Sequence, residues 1–580
     1  MKHSAGTWLR ADMTERSLER CSLDHEKLQG WIGGRGLAGC FLMPSATLEW
    51  DDPDMPLIFM TGPLAGTRAP TSGRMCVMSR SPLTGTVGDC SVGGSLAHQL
   101  AAAGYRGIVV TGKSGSPLGL CIDGDGARLE DASGLAGRDT DELHGLLSDR
   151  GAVAVVGPAA LNGVLFANIM VDGCHTAGRN GLGRVMAGKN LVFLTVKGYG
   201  TPAVADGQGL DAACEEIRRL MASSPVIMGE FGLRNMGTPA LYDLMHSRGM
   251  MPTANFRRTS FEEAPSMNAC ALRDAYSPSR TGCRGCHVLC KKVRRSDSTH
   301  MPEFETLSHF SALLENRDLG TVVEANAICN RAGMDTITAG STLACYAEIE
   351  GRRLAPGEIL GLLREISLGR GEGWRLGSGS WRYAADRGVP EASVTVKKLE
   401  LPAYDPRGAC GMALAYAVST RGGCHLRAYP ISHEILRKPV VTDRLSFSGK
   451  ARIVKIAEDA NAAIDSLSVC KFSFFGASLE EYARACSAVT GSEVSAQDLV
   501  GCGERIVYRE RIMNAMNGFD STDDDLPARF FLSPGSSGVW GETPAIDRSG
   551  FLEARSRYYR IRGLDGDGRP TPDMTRELGL

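Results

Sequence analysis

The sequence predicts an α+β chain: a mostly β N-terminal domain over residues 1–205, then two mainly α-helical domains over residues 206–400 and 401–580. Three observations carry this reading. The first two hundred residues hold short β-branched runs punctuated by glycine, proline and serine. The texture changes at the Pro/Ala/Gly/Asp stretch 198–207. Beyond it, apolar residues recur at helical spacing over long windows. A chain of 580 residues also exceeds the ~100–200 residues of one ordinary domain.

In chain order, the strands are expected at 74–78, 107–110, 153–156 and 191–196. Residues 23–29 read as helical, as do 210–221 and a single long segment, 324–349. In 453–467, Ile453, Ile456, Ala457, Ala460, Ile464 and Leu467 share one face with Asp459 and Asp465 among them, so a helix there delivers Asp465 near its C-terminal end. The boundary near 400 rests on the turn chemistry of 401–406. The acidic run 520–525 reads as a solvated loop. There is no internal repeat of about 20–50 residues.

Composition removes several classes. The 64 basic and 66 acidic residues nearly cancel, giving a net charge of -2, so bulk electrostatics favour no nucleic-acid partner. No apolar run approaches the ~18–20 residues of a membrane span, so no membrane insertion is expected. The N-terminus turns polar before any apolar stretch of signal-peptide length and lacks a twin-arginine pair, which points to the cytoplasm. Eighteen cysteines without a small-scaffold framework suit a reducing compartment, where some thiols would carry metal. Glycine is enriched, at 71 of 580, which implies close backbone approach at several places.

The sharpest local motif is Cys283-x2-Cys286-x3-Cys290. Thiolates favour iron–sulfur clusters, and three local cysteines plus a remote one would close a cubane. Zinc would need His287, His300 or a remote cysteine as its fourth ligand. Cys283-x-x-Cys286-His287 also matches c-type haem attachment, and three buried thiols without metal are the plain structural alternative. The glycine-rich basic segments 71–74, 88–94 and 177–184 each resemble a tight turn with a surface arginine, but together they suit a phosphorylated cofactor. Residues 34–39 match G-x-G-x-x-G without the preceding strand of a dinucleotide fold. His425 and Arg427 sit two apart beside a glycine pair and read as proton donor and anion clamp, or as a satisfied core histidine with a neighbour. Glu303 and Glu305 could position water near a metal, or merely begin a helix.

Taken in order, Gly33-Gly34-Arg35-Gly36-Leu37, Ser72-Gly73-Arg74, residues 81–85, Ala177-Gly178-Arg179-x-Gly181-Leu182-Gly183, the cysteine triplet and Asp465-x4-Cys470 resemble the aldehyde:ferredoxin oxidoreductase family of tungsten–pterin enzymes. The resemblance covers nearly the whole chain. It implies that the β domain covers a bis-pterin site, and that Cys283, Cys286, Cys290 and Cys470 hold a [4Fe–4S] cluster. Two molybdopterins would sandwich tungsten or molybdenum with no protein ligand to the metal, and Mg2+ would bridge the pterin phosphates. Pterin contacts carry over to Arg74, Ser91, Gly93, Gly94, Arg179, Asn330, Asp335, Arg427, Asp465 and Lys471. Glu303 or Glu305 would handle water, and His425 a proton at the carbonyl oxygen.

The implied activity oxidises a small aldehyde to a carboxylic acid, with electrons leaving through the cluster to ferredoxin or another iron–sulfur protein. The alternatives are the same cofactors run reductively on an acid or aromatic thioester, or a noncatalytic iron–sulfur or zinc protein. A homo-oligomer or a complex with an electron-transfer subunit is expected. The sequence also departs from the family: Ser91 stands where asparagine is frequent, and Asn330 where an aspartate usually stands, which removes charge-assisted bonds. Glu324-Ala325-Asn326-Ala327 lacks the histidine of the E-x-x-H that binds a bridging iron, so that iron is not expected. The surplus cysteines Cys329, Cys410 and Cys424 are either near the site or small buried hydrophobes.

Overall fold

The β-branched runs of the first two hundred residues pair into two six-stranded sheets in the computed structural model, which describes residues 6–23, 30–538 and 541–580. The first sheet holds β1 (Thr7–Asp12), β2 (Ser17–Ser22), β3 (Leu57–Met60), β4 (Met75–Arg80), β5 (Val87–Val92) and β6 (Gly107–Thr111), in the order β2-β1-β6-β3-β4-β5. The second holds β7 (Leu118–Asp123), β8 (Gly126–Asp131), β9 (Ala152–Val156), β10 (Ile169–Val171), β11 (His175–Ala177) and β12 (Leu191–Val196), in the order β11-β10-β9-β12-β7-β8. Pairings are antiparallel except β1 with β6 and β7 with β12. β3, β9 and β12 are buried along their whole length, which is why they read as continuous apolar runs rather than alternating ones.

After β12 the chain becomes helical. The helix Gly207–Ala222 starts at Asp206, whose carboxylate accepts from the Gly209 N–H at 2.9 Å. The long helix expected over 324–349 is instead two, Leu319–Ala332 and Thr336–Ile349. Gly333 at φ 73° ends the first in the left-handed region. Asp335 caps the second, accepting from the Ile337 N–H at 3.1 Å. Continuous apolar spacing hid this break, which places a carboxylate at a helix N-terminus inside the molecule. The helix expected over 453–467 runs Lys450–Ser466 and does present Asp465 near its end. It packs against the helices Gly34–Leu42, Cys410–Val418, Ala496–Met516 and Arg548–Arg562.

The 520–525 run is a loop that keeps solvent contact except at Asp524. Asp524 is fully buried between Arg511 at 2.6 Å and Lys397 at 2.5 Å, because two interior cations need a counter-charge. The helix read at 23–29 lies outside the described residues beyond Leu23. One cluster of buried apolar side chains draws on both sheets and on the helices up to Leu564. Sheets and helices therefore share a core, and polar groups from both can meet inside it. Among the described residues, no helix is long and apolar enough to cross a membrane.

Candidate active site

Cys283, Cys286 and Cys290 lie on the loop joining two short strands, Ser279–Thr281 and Lys291–Val293. Cys470 follows the helix Lys450–Ser466 and is tied by its N–H to the Thr71 carbonyl at 3.0 Å. Arg74, the residue before β4, reaches between them. Its guanidinium donates to Cys470 Sγ at 3.1 Å and to the Ser91 carbonyl at 3.0 Å. Burial alone would lower the Arg74 pKa, but the thiols of Cys470, Cys283 and Cys290 outweigh it and raise the pKa. Cys286 is pushed up to about 11 by burial and by Cys470 and Cys283.

Four thiols, three of them acting on one half-buried cation, are the donor chemistry of an anionic iron–sulfur cluster. Among the described residues, no three His, Cys, Asp or Glu side chains converge as ligands of a single ion must. A cubane binds its four cysteines at four separate irons and needs no such convergence. Gly93 closes the wall: a Cβ there would stand 2.5 Å from Cys283 Sγ and 3.1 Å from His175 Nδ1. Gly93→Ala is therefore expected to displace Cys283 and lower the iron bound per chain, read by iron analysis and the low-temperature EPR spectrum of the reduced protein.

Behind this wall lies a lattice of buried charges. Arg427 forms a two-pronged ion pair with Asp89 of β5 and lies 3.7 Å from Glu510. Arg35 donates twice to Glu510, at 2.8 Å each, and lies 3.6 Å from Asp465. Lys471 is paired with Asp465. Burial would raise the Asp89 pKa, but Arg427, Arg35 and Arg421 hold it well below the usual carboxylate range. Arg35 Nη1 is buried with no hydrogen-bond partner, a donor left for an anionic or polar group that is not protein.

A second lattice joins the β11–β12 connection to the helices. Arg179 donates to the Gly423 carbonyl at 2.8 Å and the Glu400 carbonyl at 2.7 Å, and lies 3.4 Å from Asp335. Beside it, Asn330, Asp335, Thr336, Lys291, Glu303 and His300 line a small polar cavity of about 70 Å³. The buried Asn168 Oδ1, also on this cavity, has no hydrogen-bond partner. Such a lining could hold the polar edge and phosphate of a pterin.

The two glutamates read from the sequence part company. Glu303, the N-cap of the helix Phe304–Phe310, accepts from Lys291 Nζ at 2.8 Å, and that cation holds its pKa down. Glu305 instead meets His425, with Oε1 3.5 Å from Nε2. Its Oε2 accepts from the Ala403 N–H at 2.8 Å. Burial pushes the Glu305 carboxyl up to about 8 against that bond and Arg179. Burial, then Arg179 and Arg421, holds His425 well below the usual imidazole range. Glu305 Oε1 and His425 Nδ1 are both buried without a hydrogen-bond partner. Tyr404 and Tyr429 wall the imidazole at ring distances of 5.5 and 6.4 Å.

The structure thus gathers Arg74, Ser91, Gly93 and the four cysteines at one end and Glu305 with His425 further in. Arg427, Asp465 and Lys471 form one flanking lattice, and Arg179 and Asp335 the other. Gly94, at φ 103°, packs against Asp172, the residue that follows β10. Sequence reasoning missed Asp89, Glu510, Glu400 and Arg421 as site residues. It left Cys424 open, which accepts from Arg421 at 2.9 and 3.1 Å; burial would raise this thiol's pKa, but Arg421, Arg427 and Arg179 lower it. It also passed over His309, whose Nδ1 lies 2.7 Å from the Glu305 carbonyl.

A family model described as the N-terminal domain of aldehyde ferredoxin oxidoreductase matches residues 8–198, and one described as its domains 2 and 3 matches residues 212–580. The tungsten-containing aldehyde ferredoxin oxidoreductase of Pyrococcus furiosus is 35% identical, covering 99% of this chain and 98% of its own length. That of Thermococcus kodakarensis is 34% identical with the same coverage. The WOR-like subunit of the Pyrococcus furiosus aliphatic sulfonate oxidoreductase is 26% identical over 99% of this chain and 97% of its own. Among solved structures, the active site complex BamBC of benzoyl coenzyme A reductase shares the fold, with a TM-score of 0.84 and 22% identity over 99% of this chain and 97% of that one.

Proposed function

The chain belongs to the aldehyde ferredoxin oxidoreductase family, and we propose that it oxidises aldehydes to carboxylic acids and passes the electrons to a ferredoxin-type acceptor in the cytoplasm. The family's cofactors are a tungsten bis-pterin and a [4Fe–4S] cluster; in this reading molybdenum can replace tungsten and Mg2+ joins the pterin phosphates. Cys283, Cys286, Cys290 and Cys470 ligate the cluster. Arg74, Ser91, Gly93 and Gly94 border the pterin on the sheet side, with Arg179, Asn330 and Asp335 along one flank and Arg427, Asp465 and Lys471 along the other. The domain boundaries fall near residues 205 and 400.

When bound, the metal–pterin group supplies the two-electron acceptor and the cluster the one-electron exit. The observation that carries the reading is the Glu305–His425 pair, whose Oε1 and Nδ1 find no partner in the protein. Aldehyde and water give acid, two protons and two electrons, so a proton must leave water and the carbonyl oxygen must be held. Glu305 takes the water proton. Once Glu305 carries that proton on Oε1, 3.5 Å from His425 Nε2, Nε2 is the accepting nitrogen of the neutral imidazole and Nδ1–H donates to the carbonyl oxygen. Tyr404 and Tyr429 exclude bulk water from this pair.

The test is elemental analysis of anaerobically purified protein, with aldehydes assayed against oxidised viologen and acids against reduced viologen. About four iron and one tungsten or molybdenum per chain, with viologen reduction by aldehydes, is the expected result. Iron without the heavier metal, or turnover only in the reductive direction, overturns it.

A further inference from the structure

The cysteine loop carries a feature the chemistry above does not use. Its tip, Arg284-Gly285, is exposed between Cys283 and Cys286, and a side chain at Gly285 would meet nothing within 4 Å. Arg284 is joined around this tip by three more arginines. Arg280 lies on the strand leading into the loop and donates to Asn235 at 2.6 Å. Arg234 donates to the His287 carbonyl. Arg218, on the helix Gly207–Ala222, donates to the Arg68 carbonyl at 3.4 Å. Ile217, Leu233 and Val288 share one buried apolar cluster, which ties Arg218's helix and Arg234's short helix to the cysteine loop.

None of these four arginines is ion-paired among the described residues. On the same segments, Asp211 is paired with Arg68 at 2.5 Å and Glu216 with Arg484 at 2.8 Å. Glu215 and Glu230 are left as acids without a pair there, two against four arginines. Phe231, next to Arg234's short helix, is 63% exposed. Cations without an ion pair and an exposed aromatic ring on neighbouring segments are costly to maintain unless a partner covers them, because like charges repel and apolar area stays wet. Rim charges steer a partner and an exposed aromatic anchors it.

We infer that Arg218, Arg234, Arg280 and Arg284, with Phe231, form the docking surface for a small acidic one-electron carrier protein, seated over the Arg284-Gly285 tip. The inference rests on the proposed role of the four cysteines and extends it to the exit of the electrons. Each transfer moves one electron from the reduced cluster to the oxidised carrier and makes or breaks no bond. Cys283 and Cys286 flank the tip and are themselves partly exposed, so a carrier seated there approaches the cluster through one turn of chain.

The experiment uses the anaerobically purified protein and a purified acidic [4Fe–4S] ferredoxin as probe, with equilibrium binding measured by calorimetry at low and high salt. In Arg218→Glu/Arg280→Glu/Arg284→Glu, binding is expected to weaken about tenfold or more and to lose most of its salt dependence. Aldehyde-linked reduction of benzyl viologen, a small dye needing no docking surface, should stay within about twofold of wild type. Arg284→Gln alone, an exposed tip residue, should give a smaller loss in the same direction, which covers the case of a triple variant that does not fold. Wild-type binding and salt dependence in these variants would overturn the surface, as would binding to anionic vesicles in preference to the ferredoxin. Ferredoxin binding that responds to the charges in a protein inert toward aldehydes would keep the surface and refute the aldehyde reading.

Discussion

Glu305→Gln is expected to lower kcat/KM for aldehydes on the order of 10²- to 10⁴-fold, the usual contribution of one general acid–base group, while iron and tungsten content stay at wild type. The amide keeps the shape and can still accept from the Ala403 N–H, now 2.8 Å from Oε2, but it cannot take a proton from water. Glu303→Gln is the internal contrast. Its carboxylate is occupied by Lys291 and lies against Cys290 rather than His425, so turnover should fall far less. Equal losses in the two variants would remove Glu305 from the mechanism.

The same carboxyl predicts a pH dependence. Burial raises Glu305 from an ordinary 4.5 to about 8, so the base form, and kcat/KM with it, should grow as pH rises through about 8 and not at ordinary carboxylate pH. Stability runs the opposite way. A carboxyl whose folded pKa is raised contributes fully below its unfolded value of 4.5, and that contribution is lost as pH rises through about 8. Glu305→Gln should flatten both curves, measured by steady-state rates and by thermal melts across that window.

How far the sequence could carry these assignments depends on what each residue needed. The cysteine triplet is local and was legible as a metal motif; its fourth member, Cys470, came only from the family pattern, because nothing in the spacing joins positions 290 and 470. Four of the twelve strands of the two sheets, β4, β6, β9 and β12, were legible from β-branching; the others, such as the glycine-containing β5 and the three-residue β11, were not. The helix pair around Gly333 was not, since apolar spacing continues across the break. Glu303 and Glu305 could not be ranked for a geometric reason: two residues apart on a helix start point about 200° apart, and which one faces the interior depends on what the helix packs against. Asp524 was misread as solvated because a carboxylate in an acidic run looks exposed until its cations, Lys397 and Arg511, are brought in from other parts of the chain. Arg35 hid in a glycine-rich segment for the same reason.

Arg35→Met should cost about 3–5 kcal/mol, the usual penalty for removing one member of a buried charge network. Arg35 is fully buried and holds Glu510 through two parallel bonds of 2.8 Å. Without it, Glu510 keeps the Thr420 hydroxyl at 2.6 Å and a more distant Arg427 at 3.7 Å, too little to offset a desolvated carboxylate. The helix cannot shift to relieve this. A Cβ on Gly34 would stand 2.2 Å from the Asp465 carbonyl, and one on Gly36 2.4 Å from that of Trp31, so the segment is seated on its neighbours. Arg35→Met/Glu510→Gln should regain part of the loss, because the stranded charge is gone, and the double-mutant cycle gives the coupling directly. Metal content separates this structural cost from a cofactor contact. Nη1, which has no partner in the protein, disappears in both variants, so tungsten occupancy should stay low in the double variant even where the denaturation midpoint recovers. Recovery of both together would mean that Arg35 serves the fold alone.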